Sequence, residues 1–271
     1  MRQLGFRPVQ QDPSGYWIST DGNWRWDGQA WVPNSAVTKS FAGTLTFGDV
    51  ISIPTRDQRW LAKCGIEGLI ALIPIYGTFE VAGWTLSYLD NLRSGPATLP
   101  EAGFGYARRG SRLALVALIY SLVAVVLFYL VFFGAIFLMA GTAPKQPPCP
   151  SSSCSSTATA FPAFLFAGLF VVQGIFLLVY AALHFIVLPV AYRTEREGVG
   201  AGLNLVDAVK MAAQDPKTAA AGAALIFIAY FISSLGIYAC LIGVVFSYGY
   251  AAAMFGAALR WYEQRRALMT A

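Results

Sequence analysis

Long parts of this chain have no charged side chain. From Leu113 to Pro144 there is no Asp, Glu, Lys, Arg or His, and from Thr218 to Leu259 there is none either. Between Gln146 and Tyr192 the one titratable side chain is His184. Only 12% of the 271 residues are charged, where a soluble domain has about 25%. A helix over the first of these runs would be about 48 Å long, against a bilayer hydrocarbon core of roughly 30 Å. No soluble domain needs such a helix. The chain therefore reads as an integral membrane protein, with the lipid bilayer as its first partner.

Histidine is nearly absent, and one His excludes zincin-type and His-rich metal sites. A Ser-His-Asp triad would have to use His184, which falls in the middle of a predicted span. Gly198-Val199-Gly200-Ala201-Gly202 has the composition of a dinucleotide loop, but no strand precedes it and its spacing is wrong. No catalytic residue, metal ligand or cofactor is expected, and the chain is not read as an enzyme. Four cysteines are too few for a disulfide scaffold. Cys64 and Cys240 lie in apolar stretches. Cys149 and Cys154 share a Pro/Ser-rich loop and are a candidate disulfide if that face is oxidising; free or lipid-modified thiols are the alternative. The first twenty residues hold Arg2 and Arg7 and no apolar core, so no signal peptide is read. The N-terminus is expected in the cytosol.

What is present divides into four parts. Residues 1–34 carry Trp17, Trp24, Trp26 and Trp31, with Asp21-Gly22 and Asp27-Gly28 as turn signals, because glycine accepts the positive φ of a tight hairpin. They read as a cytosolic β-meander of three short strands, similar to the "WDG…W" modules found beside bacterial membrane segments. The tryptophans either pack on one another or present a peptide- or glycan-binding face. Residues 35–46 read as a linker, 47–262 as a membrane domain and 263–271 as a cytosolic tail. The fold class is all-α, with six transmembrane helices arranged as three hairpins. The first hairpin covers 61–92 and turns near Gly77. Two long spans follow, at 113–141 and 161–190. The last hairpin is 217–235 with 239–260.

The net charge is +5. A basic excess goes with nucleic acid or with anionic lipid, and its placement decides for lipid. On the six-span map every one of the 19 Lys and Arg except Lys145 falls on the cytosolic side, as the positive-inside rule requires. Both termini are then cytoplasmic in a cell membrane, of the bacterial inner-membrane kind, and no nucleic acid is expected.

At an offset of 158 residues Asp49 falls on Asp207 and Asp57 on Asp215. Each pair introduces a predicted hairpin, which gives a parallel internal repeat. The local reading of these aspartates is as caps of the helices that follow. Asp57-Gln58-Arg59-Trp60-Leu61-Ala62-Lys63 with Gly68-Leu69-Ile70-Ala71-Leu72-Ile73-Pro74-Ile75, and later Asp215-Pro216 and Cys240-Leu241-Ile242-Gly243, resemble the bacterial and archaeal membrane family called domain of unknown function 4013. The resemblance covers roughly 47–262, and Gly83-Trp84 departs from the Gly-Tyr expected there. It implies the membrane fold and no catalytic residues. Glu67 and His184, with Lys63 a helical turn before Glu67, form a candidate intramembrane polar site near the cytosolic face, since ionisable groups in a membrane are costly. The bland alternative has Lys63 neutralising Glu67 and His184 bonding a backbone carbonyl or a tyrosine. The expected function is a non-enzymatic scaffold or accessory subunit, with a membrane-protein partner or a homo-oligomer. The alternative is a small-solute or lipid-handling transporter.

Overall fold

A computed structural model describes residues 8–11, 17–19, 24–26, 31–33, 44–95, 97–142, 160–238 and 240–270. The membrane-domain part is helical. The chain divides into two compact units, residues 1–111 with 225–271, and residues 112–224.

The first unit opens with four short strands, β1 (Pro8–Gln11), β2 (Trp17–Ser19), β3 (Trp24–Trp26) and β4 (Trp31–Pro33). They form one antiparallel sheet in chain order. The sequence reading had three strands; β1 precedes the Trp-rich text and lacks its composition. Helix α1 (Phe47–Ser52) starts from a capping box. The Thr46 hydroxyl accepts from the Asp49 N–H, and an Asp49 carboxylate oxygen accepts from the Thr46 N–H. A short 3₁₀ turn, Ile53–Arg56, leads to α2 (Trp60–Ala71) and α3 (Tyr76–Ser94). Both pack against α9 (Cys240–Thr270).

The α2–α9 crossing is close because glycines line it. A Cβ on Gly68 would stand 1.8 Å from the Val245 carbonyl oxygen, and one on Gly249 would stand 2.0 Å from that of Cys64. Small residues let two helix backbones meet this way. Farther along, the Thr85 hydroxyl donates to the Ala252 carbonyl, and Arg93 pairs with buried Glu263.

The chain reverses between α2 and α3 earlier than the expected turn at Gly77. Pro74 has no N–H and disfavours helical backbone in the residue before it, so α2 ends at Ala71. Ile75 sits at φ 63° and ψ −62°, and the Tyr76 N–H donates to the Pro74 carbonyl at 2.6 Å. That geometry is a γ-turn of the strained hand. Gly77 lies inside α3, where a Cβ would meet the Ile70 carbonyl at 2.2 Å.

Three helices among the described residues are long and apolar enough to cross a membrane. They lie at Ala107–Phe137 within α4 (Ala107–Thr142), in α8 (Pro216–Tyr238), and at Ile242–Met269 within α9. Of the six expected spans, these helices account for three among the described residues. At 12 residues, α2 is about 18 Å long, and α3 carries Glu80, Asp90 and Arg93 in 19 residues. The two copies of the expected repeat also diverge, since the helix after Asp57 has 12 residues and the one after Asp215 has 23. The fourth expected span lies within α5 (Ala160–Glu197), a helix of 38 residues.

In the second unit α6 (Val199–Leu203) and α7 (Leu205–Gln214) pack back on α5. Val116, Val190 and Ala208 form a small core, with Tyr120 and Val199 against it. The glycine-rich run is a joint. Gly198 takes φ 99°, and a Cβ on Gly202 would meet the Thr194 hydroxyl at 2.0 Å. Asn204 caps α7 by accepting from the Asp207 N–H, and Asp215 accepts from the Thr218 N–H at the start of α8. A carboxylate meeting a backbone N–H at a helix start, the role read for these aspartates, is what the geometry shows at Asp49 and Asp215; at Asp207 the cap is Asn204, whose amide also donates to the Asp207 carboxylate.

Candidate functional site

Asp57, Lys63, Glu67 and Glu80 are buried charged side chains of the first unit. Burying a charge is costly unless it is paired and hydrogen-bonded. What pairs them is the backbone of the segment 97–106, which links α3 to α4.

Asp57 precedes α2 and accepts from the N–H of Arg59 at 2.8 Å and of Leu99 at 3.0 Å. Lys63, one turn into α2, donates to Asp57 at 2.9 Å and to the Leu99 carbonyl at 2.7 Å. The ammonium is thus engaged by Asp57 and the loop, and the expectation that it neutralises Glu67 is corrected. Glu101 also reaches Lys63, at 3.4 Å, and Arg59, at 2.6 Å, on the exposed rim.

Glu80 sits on α3 facing the first turn of α4. Its carboxylate accepts from the N–H of Gly105 at 3.1 Å and of Tyr106 at 2.6 Å. Those are the free donors of a helix start, where negative charge is favoured. Burial alone would raise its pKa. Hydrogen bonds from the Tyr76 hydroxyl and from the backbone of Tyr106, Gly105 and Ala107 outweigh that and hold Glu80 below the ordinary carboxylate value. The close approach is allowed by Gly83 and Gly110, whose missing side chains leave room for Tyr106 and for α3.

Glu67 is treated differently. It is fully buried on α2, which is not one of the three candidate spans. One carboxyl oxygen accepts from the Gly103 N–H at 2.9 Å. The other has no hydrogen-bond partner among the described residues. Burial is the main reason its pKa is pushed up to about 7; the Gly103 bond opposes the rise and the nearby Glu80 charge adds to it.

His184 belongs to the second unit. Its Nδ1 lies 2.7 Å from the Tyr180 carbonyl, and its ring stands edge-on to Tyr180 at 4.5 Å. Glu67 and His184 are thus each held by partners of their own unit, and the carbonyl contact expected of His184 is present. Cys149 and Cys154 lie outside the described residues. The sequence reading missed Glu80 and the loop. A charged residue inside an apolar helical stretch, followed by Gly103-Phe104-Gly105 before an Arg-rich helix start, was the signal available.

Among the described residues no group of three or more His, Cys, Asp or Glu is placed to hold a metal ion. Compared with protein-family models, curated proteins and solved structures, the chain matches none.

Proposed function

We propose that this protein is a non-enzymatic scaffold or accessory subunit of a membrane assembly. The observation that carries this reading is the use made of the buried charges. Asp57, Lys63 and Glu80 are all turned to loop backbone or to one another. Groups so engaged fix a shape and leave little for chemistry on a substrate. The partner is another membrane protein or a second copy of the chain. The resemblance to domain of unknown function 4013 is kept as part of the same proposal.

In this reading α4 crosses the membrane and α5 returns, with Arg193 and Arg196 at its cytosolic end. Support comes from the apolar stretch of α4 within Ala107–Phe137, where few residues are buried, as a lipid-facing surface requires. The α2–α3 pair enters from the cytosolic side and turns back without crossing. Leu61, Ile66, Leu69, Leu72 and Ile75 are exposed along it, while Arg59 and Glu101 at its base are exposed and ion-paired. Six full crossings are the rival topology.

Purification from native membranes under mild detergent tests the function. A stoichiometric partner or a defined homo-oligomer is expected. Solute flux in proteoliposomes of the purified chain, with no partner recovered, overturns the scaffold in favour of a transporter.

A further inference from the structure

Of the three buried acids that meet the loop 97–106, two are well supplied and one is not. Asp57 has an ammonium and two backbone donors. Glu80 has the donors of a helix start. Glu67 is equally buried, has one donor for two oxygens, and has no cation of its own. The charged and titratable groups around it reinforce the difference. On α2, Lys63 is held by Asp57 and Leu99, and Cys64 is a buried thiol. From α3 comes the Glu80 carboxylate, and from the loop comes Tyr106, whose hydroxyl donates to the Glu101 carbonyl. The facing stretch of α9 offers Val245, Phe246 and Gly249, and then Tyr250, whose hydroxyl donates to Ile51. None of these stabilises a second negative charge.

We infer that Glu67 is a proton-binding site: its carboxyl is uncharged while the loop 97–106 is seated on α2, and loss of the proton releases that loop. Two neighbouring carboxyls whose surroundings push their proton affinities apart take different charge states. Here Glu80 takes the charge and Glu67 the proton. A bare carboxylate at Glu67 needs water, and water reaches it when the Gly103 bond opens. Burial and the neighbouring charge place the titration near neutral pH rather than in the acid range of an ordinary glutamate.

The sign follows from proton counting. Between the ordinary glutamate pKa and that of the seated state, the seated state binds more protons than the released one. Seating therefore weakens as pH rises through this window. Within it, each pH unit shifts the seated-to-released ratio by about tenfold. The inference goes beyond the scaffold reading and does not depend on it, because its readout is spectroscopic.

The test is infrared spectroscopy of the detergent-solubilised full chain, with hydrogen exchange of residues 97–106. Wild type at pH 6 is expected to show a protonated-carboxyl band that disappears on raising the pH and is missing from Glu67→Gln. After correction for intrinsic rates, loop exchange should accelerate with pH in wild type and stay slow in Glu67→Gln. A wild-type spectrum with no protonated carboxyl at pH 6 overturns the proposal, and it needs no variant to fold. A band that Glu67→Gln leaves unchanged overturns it as well.

Discussion

At the residue scale the strongest commitment is Lys63 with Asp57. Both side chains are less than a tenth exposed and their charged atoms are 2.9 Å apart. Removing one partner of a buried pair leaves the other charged and unpaired, which costs about 3–5 kcal/mol. Lys63→Met is therefore expected to destabilise the solubilised protein by that order, and Asp57→Asn by a similar amount. The double variant should lose clearly less than the sum, because no bare charge remains. Thermal melting of the four proteins reads this directly; additive losses would mean that the two side chains act independently. The acids were legible in the sequence as charges in apolar surroundings. Their partners were not, because backbone N–H groups carry no sequence signal. Asp57 meets Leu99 across 42 residues and Glu80 meets Tyr106 across 26, so no local spacing rule finds them. Lys63 at i−4 from Glu67 fits a helical ion pair, yet Asp57 offers it a better-placed carboxylate together with the Leu99 carbonyl.

At the element scale, helix lengths depended on Pro74 and on glycines. The apolar run from Leu61 to Tyr76 looked like a span because hydropathy does not register a single proline. The structure stops α2 at Ala71 and places Ile75, a β-branched residue that is largely exposed, in left-handed backbone. Such a conformation costs on the order of 1–3 kcal/mol in a non-glycine residue. Ile75→Gly is expected to raise stability by about 1 kcal/mol, the gain being cut by glycine's greater freedom when unfolded; a lower melting temperature would contradict the strain. The opposite outcome is expected at the helix crossing. Gly68→Ala and Gly249→Ala put a methyl against backbone on the facing helix, and overpacking of this kind costs about 1–3 kcal/mol. Gly134→Ala, with nothing within 4 Å of the new methyl, should be neutral or slightly stabilising, since alanine is the better helix former. Equal melting of the three alanine variants would mean that α2 and α9 do not meet through these glycines.

At the scale of the whole molecule, what composition showed was the phase in which the chain sits. Charge-free runs marked α4, α8 and α9 before any geometry was known. The number of crossings was harder to read, since hydropathy gives the same score to a helix that crosses and to one that enters and returns. Exposed ion pairs separate the two cases, because a charged side chain facing hydrocarbon is costly. Arg59 and Glu101 are both about 70% exposed while bonded to each other, so the base of α2 belongs in water or among headgroups. From Trp60 to Ala71 the helix rises about 18 Å, which leaves its tip short of a far surface roughly 30 Å away. A single cysteine at Ile73 or Ile75, in a chain whose native cysteines are replaced, is therefore expected to resist a membrane-impermeant thiol reagent applied from outside intact cells. A cysteine at Pro100 should be labelled only after the cells are opened. The two positions report different things. Labelling of residue 100 from outside would invert the assignment of the basic loop between α3 and α4, and with it the side on which 18 of the 19 Lys and Arg were placed. Labelling of residue 75 from outside, with residue 100 protected, would restore a full crossing by the first hairpin and the six-span topology.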